Sequence, residues 1–220
     1  MTVSANSARR PGRPSGSQGT ELLAIAREVF LELGFASATM QEIATRGRIS
    51  KTSLYREHES KDELFAAVVT DWAAQGRDAM RPHLDRLLAA DNLRRAAVEL
   101  ATTLQQGVLA PDVARMRRLV AAESDRFPET AAKYLADSWT RNITALAEAI
   151  TELVVRGSVH VADPWLAAHQ FTWTAVGAAL NAQTIGGRSA TTPPRQLSRF
   201  AAAAADTLIA EAHRPGGARR

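Results

Sequence analysis

The sequence contains no cysteine, and that absence excludes a disulfide framework, a thiolate metal site and a cysteine nucleophile together. No apolar run follows a charged start, so we expect no secretory signal. The long uncharged segment 164–187 carries His169, Gln170, Asn181 and other polar residues, which makes it too polar for a lipid bilayer. We therefore expect a cytoplasmic protein with no membrane partner.

The usual signatures of catalysis are missing as well. None of the five histidines has another histidine three or four residues away, so a helical metal pair is not encoded. The chain has no glycine-rich phosphate loop and no Gly-x-Ser-x-Gly elbow. We expect no catalytic site, no metal and no cofactor, and a helical-bundle enzyme is the least favoured interpretation.

No segment alternates apolar and polar residues as a strand does. Apolar residues instead recur at spacings of three and four, with Gly or Pro between the periodic segments. This pattern predicts an all-α protein of about nine helices, at 20–33, 40–46, 51–57, 61–80, 92–107, 112–125, 128–156, 164–184 and 194–212. Hydrophobic residues make up 45% of the 220 residues, which is typical of a folded protein.

The formal charge of +4 favours a polyanionic partner such as nucleic acid. Three arginines and no acid lie in the first 15 residues, and three more arginines lie in the last seven. We predict a flexible basic arm at 1–15 and a flexible basic tail at 214–220. These ends either contact DNA or are solvated without a partner.

The segment from Thr20 to Leu64 contains start and stop signals of several successive helices. Its first helix has an apolar stripe made of Leu22, Ala26, Val29, Phe30 and Leu33, and Gly34 stands where that helix ends. Thr39 and Glu42 form a capping box, in which each side chain is expected to satisfy the other's backbone donor. Ser50 caps a short helix, and Ser60 with Glu63 forms a second box before a long helix.

The short helix that begins at Lys51 has few residues to pack inward. Only Leu54 needs to face the core, which leaves Lys51, Thr52, Ser53, Tyr55 and Arg56 on the outer surface. Such a helix suits the major groove, where its N-terminal residues meet base edges and its hydroxyls and cations hold phosphates. Lys61 lies beside the N-terminus of the next helix, whose free backbone donors could hold a phosphate.

This ordered set resembles the DNA-binding domain of TetR-family regulators. The residues that carry the resemblance are Thr39-Met40-x-x-Ile43-Ala44-x-x-Gly47-x-Ile49-Ser50-x-x-x-Leu54-Tyr55, followed by Ser60-Lys61-x-x-Leu64. The resemblance implies double-stranded operator DNA as the partner. It assigns DNA contacts to Thr39, Lys51, Thr52, Ser53, Tyr55 and Lys61, and the predicted contact set also includes Arg48 and Arg56.

One departure from the family pattern follows the tyrosine. Where the family usually has an aromatic pair of the type His-Phe, this chain has Glu57-His58-Glu59. The missing phenylalanine changes the local packing, and the two acids reduce the positive charge near the DNA face. We therefore expect the affinity for DNA to depend on the basic arm and on dimerisation.

We assign residues 16–76 to the helix-turn-helix domain, with the motif itself at 39–58, and residues 77–213 to a larger helical domain for ligand binding and dimerisation. The uncharged segment 164–187 predicts a helix buried on more than one side, either between the chain's own core and a second subunit or inside a monomer. A four-helix homodimer interface is the preferred arrangement. Its predicted residues are Trp165, Ala178, Asn181, Leu197, Phe200, Ala201, Ala204 and Leu208.

The segment from Met116 to Glu129, with Gly157 and Asp163-Pro164, resembles the AefR-like branch of the TetR family. This resemblance implies a pocket whose unknown small-molecule effector releases a repressor from its operator. Side chains that combine large apolar faces with polar tips are candidate pocket residues, and each could equally be ordinary core. They are Trp72, Met116, Leu119, Phe127, Trp139, Ile143, His169 and Trp173, with Met80 and Val176 as further candidates. The alternative function is a helix-turn-helix protein without small-molecule control, either architectural or gated by a protein partner.

Overall fold

A computed structural model describes residues 19–76, 78–186 and 190–210 of the chain. The described part is helical, as predicted, and contains no strand. Its α-helices are α1 (Thr20–Ser37), α2 (Met40–Arg46), α3 (Lys51–Glu57), α4 (Lys61–Gln75), α5 (Arg81–Leu88), α6 (Leu93–Val108), α7 (Pro111–Ala122), α8 (Pro128–Leu135), α9 (Arg141–Val155), α10 (Pro164–Ile185) and α11 (Pro194–Ala210), with a π-helical segment at Ala136–Thr140. The predicted basic arm and basic tail lie outside the described residues.

The chain divides into two compact units, Met1–Val68 and Val69–Arg220, which we call unit 1 and unit 2. The division lies inside α4, whereas the boundary expected after residue 76 lies at the end of that helix. Unit 1 is the small helix-turn-helix unit, and unit 2 is the larger helical unit.

Unit 1 is built around three phenylalanines. Phe30 and Phe35 of α1 and Phe65 of α4 are buried, with ring centroids between 5.1 and 5.9 Å apart. Gly34 interrupts α1 with φ 74° and ψ 165°, a conformation that is costly for any residue with a side chain. The break at Gly34 turns the chain so that both Phe30 and Phe35 reach the same cluster.

Unit 2 has one continuous core formed by α5, α6, α9, α10 and α11. Gln105 of α6 is a buried polar residue in this region, and its amide Nε2 donates to Ala175 O on α10 and to Leu197 O on α11, each at 2.9 Å. One side chain therefore ties three helices together at a point where an unpaired amide would be costly.

The predicted helix at 61–80 is correct as far as Gln75 and wrong beyond it. α4 ends at Gln75, Asp78 adopts a left-handed φ of 62°, and a separate helix α5 begins at Arg81 with Pro82 in its first turn. Proline is tolerated in a first turn because its missing donor has no helical partner there. This extra helix raises the number of α-helices in the described residues above the predicted nine.

The predicted helix at 128–156 is present but is not uniform. α8 passes into the π-helical segment Ala136–Thr140, which passes into α9, and the backbone is helical at both junctions. A π-bulge changes which way the following side chains face, and such bulges are frequent at functional sites. The segment carries Ser138 and Trp139.

Within residues 19–76, 78–186 and 190–210, no helix combines the length and the hydropathy that a membrane span requires. In the same ranges no three His, Asp or Glu side chains are grouped so that they could hold a metal ion.

Candidate functional site

The outer face of α3 is an exposed surface of the helix-turn-helix motif. Leu54 is fully buried, whereas Lys51, Thr52, Tyr55 and Arg56 are exposed, and Tyr55 leaves 44% of its surface open. The Tyr55 ring and the Lys51 and Arg56 side chains contribute almost nothing to the core. Their hydroxyl and charged groups are therefore available to bind a partner. These four residues, with Ser53, form what we call the α3 face.

The turn before α3 depends on two residues. Gly47 packs so closely that a Cβ there would lie 3.1 Å from Ile43 O and 3.4 Å from a Leu22 methyl. Arg48 has a left-handed φ of 55° and remains exposed. The tight turn brings the start of α3 back against α2, as a helix-turn-helix requires.

The first residues of α3 are held by a side-chain cap. Ser50 Oγ accepts from Ser53 N at 3.0 Å and lies 2.8 Å from Ser53 Oγ. The Ser53 hydroxyl is thus already engaged in the cap, so a contact from it to DNA would have to share or replace this bond.

The cations of unit 1 differ in how they are paired. Arg46 donates to Glu32 Oε2 at 2.6 Å and to Glu42 Oε1 at 2.8 Å, and these hydrogen bonds raise its pKa above the ordinary value. Arg48, Lys51 and Arg56 form no ion pair with any residue in the described ranges. The positive charge available to a phosphate is therefore concentrated at the turn and on the α3 face.

Thr39 caps α2, but the predicted reciprocal box is only half formed. Thr39 Oγ1 accepts from Glu42 N at 3.1 Å, while the Glu42 carboxylate is taken by Arg46 instead of returning to Thr39 N. The second box is shifted by one residue, because Glu63 Oε2 accepts from Glu59 N at 2.7 Å. Thr39 itself is exposed at the start of α2.

Lys61 has a structural role that the sequence did not indicate. Its ammonium donates to the carbonyls of Phe35 at 2.8 Å, Ala36 at 3.3 Å and Ala38 at 2.9 Å, and it lies 4.4 Å from the centre of the Phe35 ring. It therefore neutralises the C-terminal end of α1 rather than standing open beside the N-terminus of α4. A phosphate at Lys61 would compete with these three carbonyls.

Unit 2 contains a cavity of about 350 Å³, which we call the inner cavity. Most of its wall is apolar, from Trp72, Met80, Leu104, Val108, Val113 and Trp139. The polar side chains in the wall are Gln75, Arg117, Tyr134, Ser138 and Asn142. Its size and its few polar groups in an apolar wall are typical of small-molecule sites.

A second cavity of about 340 Å³, the outer cavity, shares part of this wall. Arg117, Tyr134, Ser138 and Trp139 line both cavities, and Trp173 and Leu180 of α10 contribute to the outer one. Arg117 lies 5.5 Å from the Trp139 ring centre. The π-helical segment thus supplies part of the partition between the two cavities.

Two members of the shared wall interact electrostatically. Burial lowers the pKa of Arg117, and the neighbouring Tyr134 hydroxyl, which forms a hydrogen bond with it, partly opposes that effect. Burial likewise raises the pKa of Tyr134, against the opposing charge of Arg117. The phenol therefore stays neutral and leaves the cation without a counter-charge.

The predicted pocket residues fall into two groups. Trp72 and Trp139 line the inner cavity, Trp139 and Trp173 the outer one, and Ile143 reaches only a void of about 40 Å³ that Trp139 and Met80 also line. Met80 also lines the inner cavity, and the structure does not place the remaining candidates in the walls of either cavity. Of these, Met116, Leu119 and Val176 are buried in helix packing, Phe127 lies under Arg126, and His169 packs 4.1 Å from Trp165 between ring centres.

Arg117 and Tyr134 were not predicted as pocket residues. Val113, Arg117 and Val120 follow one another at i, i+4 and i+7, so Arg117 occupies a position of the helical pattern that otherwise faces inward. That spacing was the available signal. A charged residue in such a position is more often assigned to the surface, which is why the pattern alone does not single it out.

The predicted dimer residues also divide. Trp165, Ala178 and Asn181 of α10 are exposed, and Leu197 and Phe200 of α11 are half-buried. Ala201, Ala204 and Leu208 are buried in the chain's own core. Their helical spacing predicts that they share one buried face. Spacing alone does not show whether that face packs in the core of the same chain or against a second subunit.

Two family models match the chain. Residues 22–68 match the model described as bacterial regulatory proteins of the tetR family, and residues 95–211 match the AefR-like transcriptional repressor C-terminal domain. The first match contains the α3 face, and the second contains Arg117, Tyr134 and α10.

Individual proteins agree with these matches. The HTH-type transcriptional activator FasR of Mycolicibacterium smegmatis is 37% identical over an alignment of 110 residues that covers 41% of this chain and 50% of FasR, so the match spans half the length of that relative. A protein described as a TetR-family transcriptional regulator from Mesorhizobium loti has a TM-score of 0.80 at 25% identity, over 86% of this chain and 93% of that one. FadR from Bacillus subtilis, solved in complex with stearoyl-CoA, shares the fold with a TM-score of 0.62 at 13% identity, over 86% of this chain and 97% of that one.

Proposed function

The chain belongs to the TetR family of DNA-binding transcriptional regulators, and from this premise we propose that it acts as a homodimer whose two α3 faces bind one operator. The observation that carries the proposal is the α3 face itself, where exposed cations and Tyr55 lie on a helix with a single buried side chain. Operator DNA in a bacterium lies in the cytoplasm, so we expect the protein to act there.

The dimer is supported by the exposed side of α10. Trp165, Leu166, Trp173 and Ile185 leave between 47% and 80% of their surfaces open, and the helix carries no charged side chain. Such an apolar surface is typical of an interface with another protein. A two-fold dimer would present two α3 faces to half-sites about 34–36 Å apart or a multiple of that spacing.

Control by a small molecule is supported by the inner cavity. α4 carries Leu64 and Phe65 in the buried part of unit 1, and Trp72 and Gln75 in the wall of the inner cavity. A ligand that moved the second half of this helix would act on the first half. A coupling of about 1–3 kcal/mol is enough to shift an operator from mostly bound to mostly free. FadR, which shares the fold, was solved with an organic ligand bound.

The direction of control has two candidates. The family model over residues 95–211 is that of a transcriptional repressor, whereas FasR is an activator. We propose repression with release by the ligand, because the larger match covers more than half of this chain. A helix-turn-helix protein without small-molecule control is the alternative, and in that case no ligand would alter DNA binding.

The test of DNA binding uses genomic fragments from the source organism. Fragments captured by the purified full-length chain are sequenced, and the enriched sites are checked by electrophoretic shift at several salt concentrations. We expect an inverted repeat bound by two chains, with affinity that falls steeply as salt rises. Absence of any enriched sequence would contradict operator binding, and one chain on a single half-site would contradict the dimer.

The test of transcriptional control uses the promoter next to the DNA site that the capture experiment identifies. The regulated promoter is measured in cells with and without the gene for this protein. Higher output on deletion indicates a repressor, and lower output indicates an activator. A metabolite library is then screened by thermal shift, because a ligand at a hundred times its dissociation constant stabilises the folded state by about 2.7 kcal/mol. Hits that leave DNA binding unchanged would favour the alternative function.

A further inference from the structure

Arg117 is a cation in the wall of two cavities with unused hydrogen-bonding capacity. Its Nη1 is buried and has no hydrogen-bond partner among the residues that the structure describes. The guanidinium stays protonated in proteins, so this nitrogen remains a donor. A buried charged donor without a partner is costly, and its presence calls for an explanation in terms of a ligand or a water.

The walls around Arg117 supply no counter-charge. In the described parts of the chain, it is the only charged residue lining either the inner or the outer cavity. Tyr134 offers a neutral hydroxyl, and Trp139 offers the face of its ring at 5.5 Å. Both groups position the guanidinium, but neither neutralises it.

The apolar part of the inner cavity wall is suited to an apolar body. Trp72, Met80, Leu104 and Val108 line the inner cavity, and its volume of about 350 Å³ lies near the lower end of the range for small-molecule sites. Gln75, Ser138 and Asn142 supply the other polar side chains there. However, Ser138 Oγ donates to Tyr134 O at 2.5 Å and Asn142 Nδ2 donates to Ser138 O at 2.7 Å, so the Ser138 hydroxyl and one of the two Asn142 amide hydrogens are already used within the helix.

We propose that the inner cavity binds an organic monoanion of the carboxylate class, with its apolar body against Trp72 and Trp139 and its carboxylate on Arg117. One cation favours one negative charge, and the planar guanidinium fork matches a carboxylate with two parallel hydrogen bonds. This inference rests on the proposed ligand control for its biological meaning, but the binding itself can be tested without DNA.

The experiment compares acids with their own amides, so that shape is held nearly constant while charge changes. Decanoate with decanamide and 2-naphthoate with 2-naphthamide are titrated into the full-length protein by calorimetry. The variants are Arg117→Met and, as a matched control, Arg118→Met. Arg118 is the next residue on α7, donates to Gln183 O at 3.4 Å and lines neither cavity.

We expect at least one acid to bind the wild-type chain about tenfold or more tightly than its amide, as a charge-assisted hydrogen bond implies. Arg117→Met should remove this preference, and Arg118→Met should keep it. Equal binding of acid and amide, failure of both acids to bind, or an unchanged preference in Arg117→Met would overturn the inference. If Arg117→Met does not fold, Arg117→Gln replaces it, with folding checked by circular dichroism.

Two further readouts separate this inference from its premise. A ligand role predicts that Arg117→Met is at least as stable as wild type in urea, because it removes a partly buried cation that has no counter-charge, whereas a structural role predicts a loss of stability. Acid binding without release of DNA would overturn ligand control and leave the carboxylate site standing. Release of DNA by amide and acid alike would overturn the carboxylate site alone.

Discussion

Substitution of Leu54 by alanine tests whether α3 is held to unit 1 by one side chain. Leu54 is fully buried, and it is the only residue of α3 that is. Truncating a buried leucine to alanine removes its transfer free energy and leaves a cavity, at a cost of about 2–5 kcal/mol. A unit of this size has a small free energy of unfolding, so a loss of about 2–5 kcal/mol is a large fraction of it.

The assay has to report on unit 1 separately. All four tryptophans, from Trp72 onward, lie in unit 2, so their fluorescence during urea unfolding follows that unit. Hydrogen exchange of peptides from residues 20–68 follows unit 1. We expect Leu54→Ala to accelerate exchange in those peptides, which corresponds to a fall of about 2–5 kcal/mol in their free energy of opening. The urea transition followed by tryptophan fluorescence should stay unchanged.

Leu33→Ala is the matched control, since Leu33 leaves 43% of its surface exposed on α1 in the same unit. It should cost about 1 kcal/mol or less, because much less surface is removed from contact. An equal loss for the two leucines, or unchanged exchange in Leu54→Ala, would refute the assignment of Leu54 as the anchor of α3.

Three further substitutions test local features of unit 1 by the same exchange measurement. Gly34→Ala should cost about 1–3 kcal/mol, because alanine is strained at the dihedral angles of this position; no change would mean that α1 need not break there. Ser50→Ala should cost about 0.5–2 kcal/mol through loss of the α3 cap, and exchange limited to the start of α3 is the expected pattern. Lys61→Met should lower the free energy of unfolding by about 1 kcal/mol, because three carbonyls lose a donor. A loss of DNA affinity with unchanged stability would instead indicate that Lys61 binds a phosphate.

The helix-turn-helix unit could be predicted from the sequence because its information is local. Caps and turn residues lie within a few positions of the backbone groups that they satisfy, and the bounds of α2 and α3 were predicted to the residue. Side-chain partners were predicted less well. Glu42 could pair with Thr39 or with Arg46, and both choices are local, so only the folded geometry of α1 and α2 decides between them.

The larger unit could be predicted only in outline. Its helices follow from periodicity, but the break before α5 depends on a turn with Asp78 in a left-handed conformation, which the helical pattern 61–80 conceals. Helical spacing shows that Ala204 and Leu208 share a face, but whether that face meets its own core or a partner depends on contacts distant in the chain. The cavity at Arg117 also depends on contacts distant in the chain, because its wall comes from α4, α6, α7 and the π-helical segment, which meet only after folding.

The central claim is that the α3 face binds DNA, and a salt titration of one substitution tests it most directly. Fluorescence anisotropy is measured on the enriched site with wild type, Lys51→Ala and Lys133→Ala, which removes the same charge from α8 in unit 2, where Lys133 pairs with Asp137 at 2.6 Å. We predict that Lys51→Ala weakens binding and reduces the slope of log K against log salt by about 1 for each chain bound, while Lys133→Ala binds as wild type does. Wild-type affinity and slope in Lys51→Ala would contradict the claim.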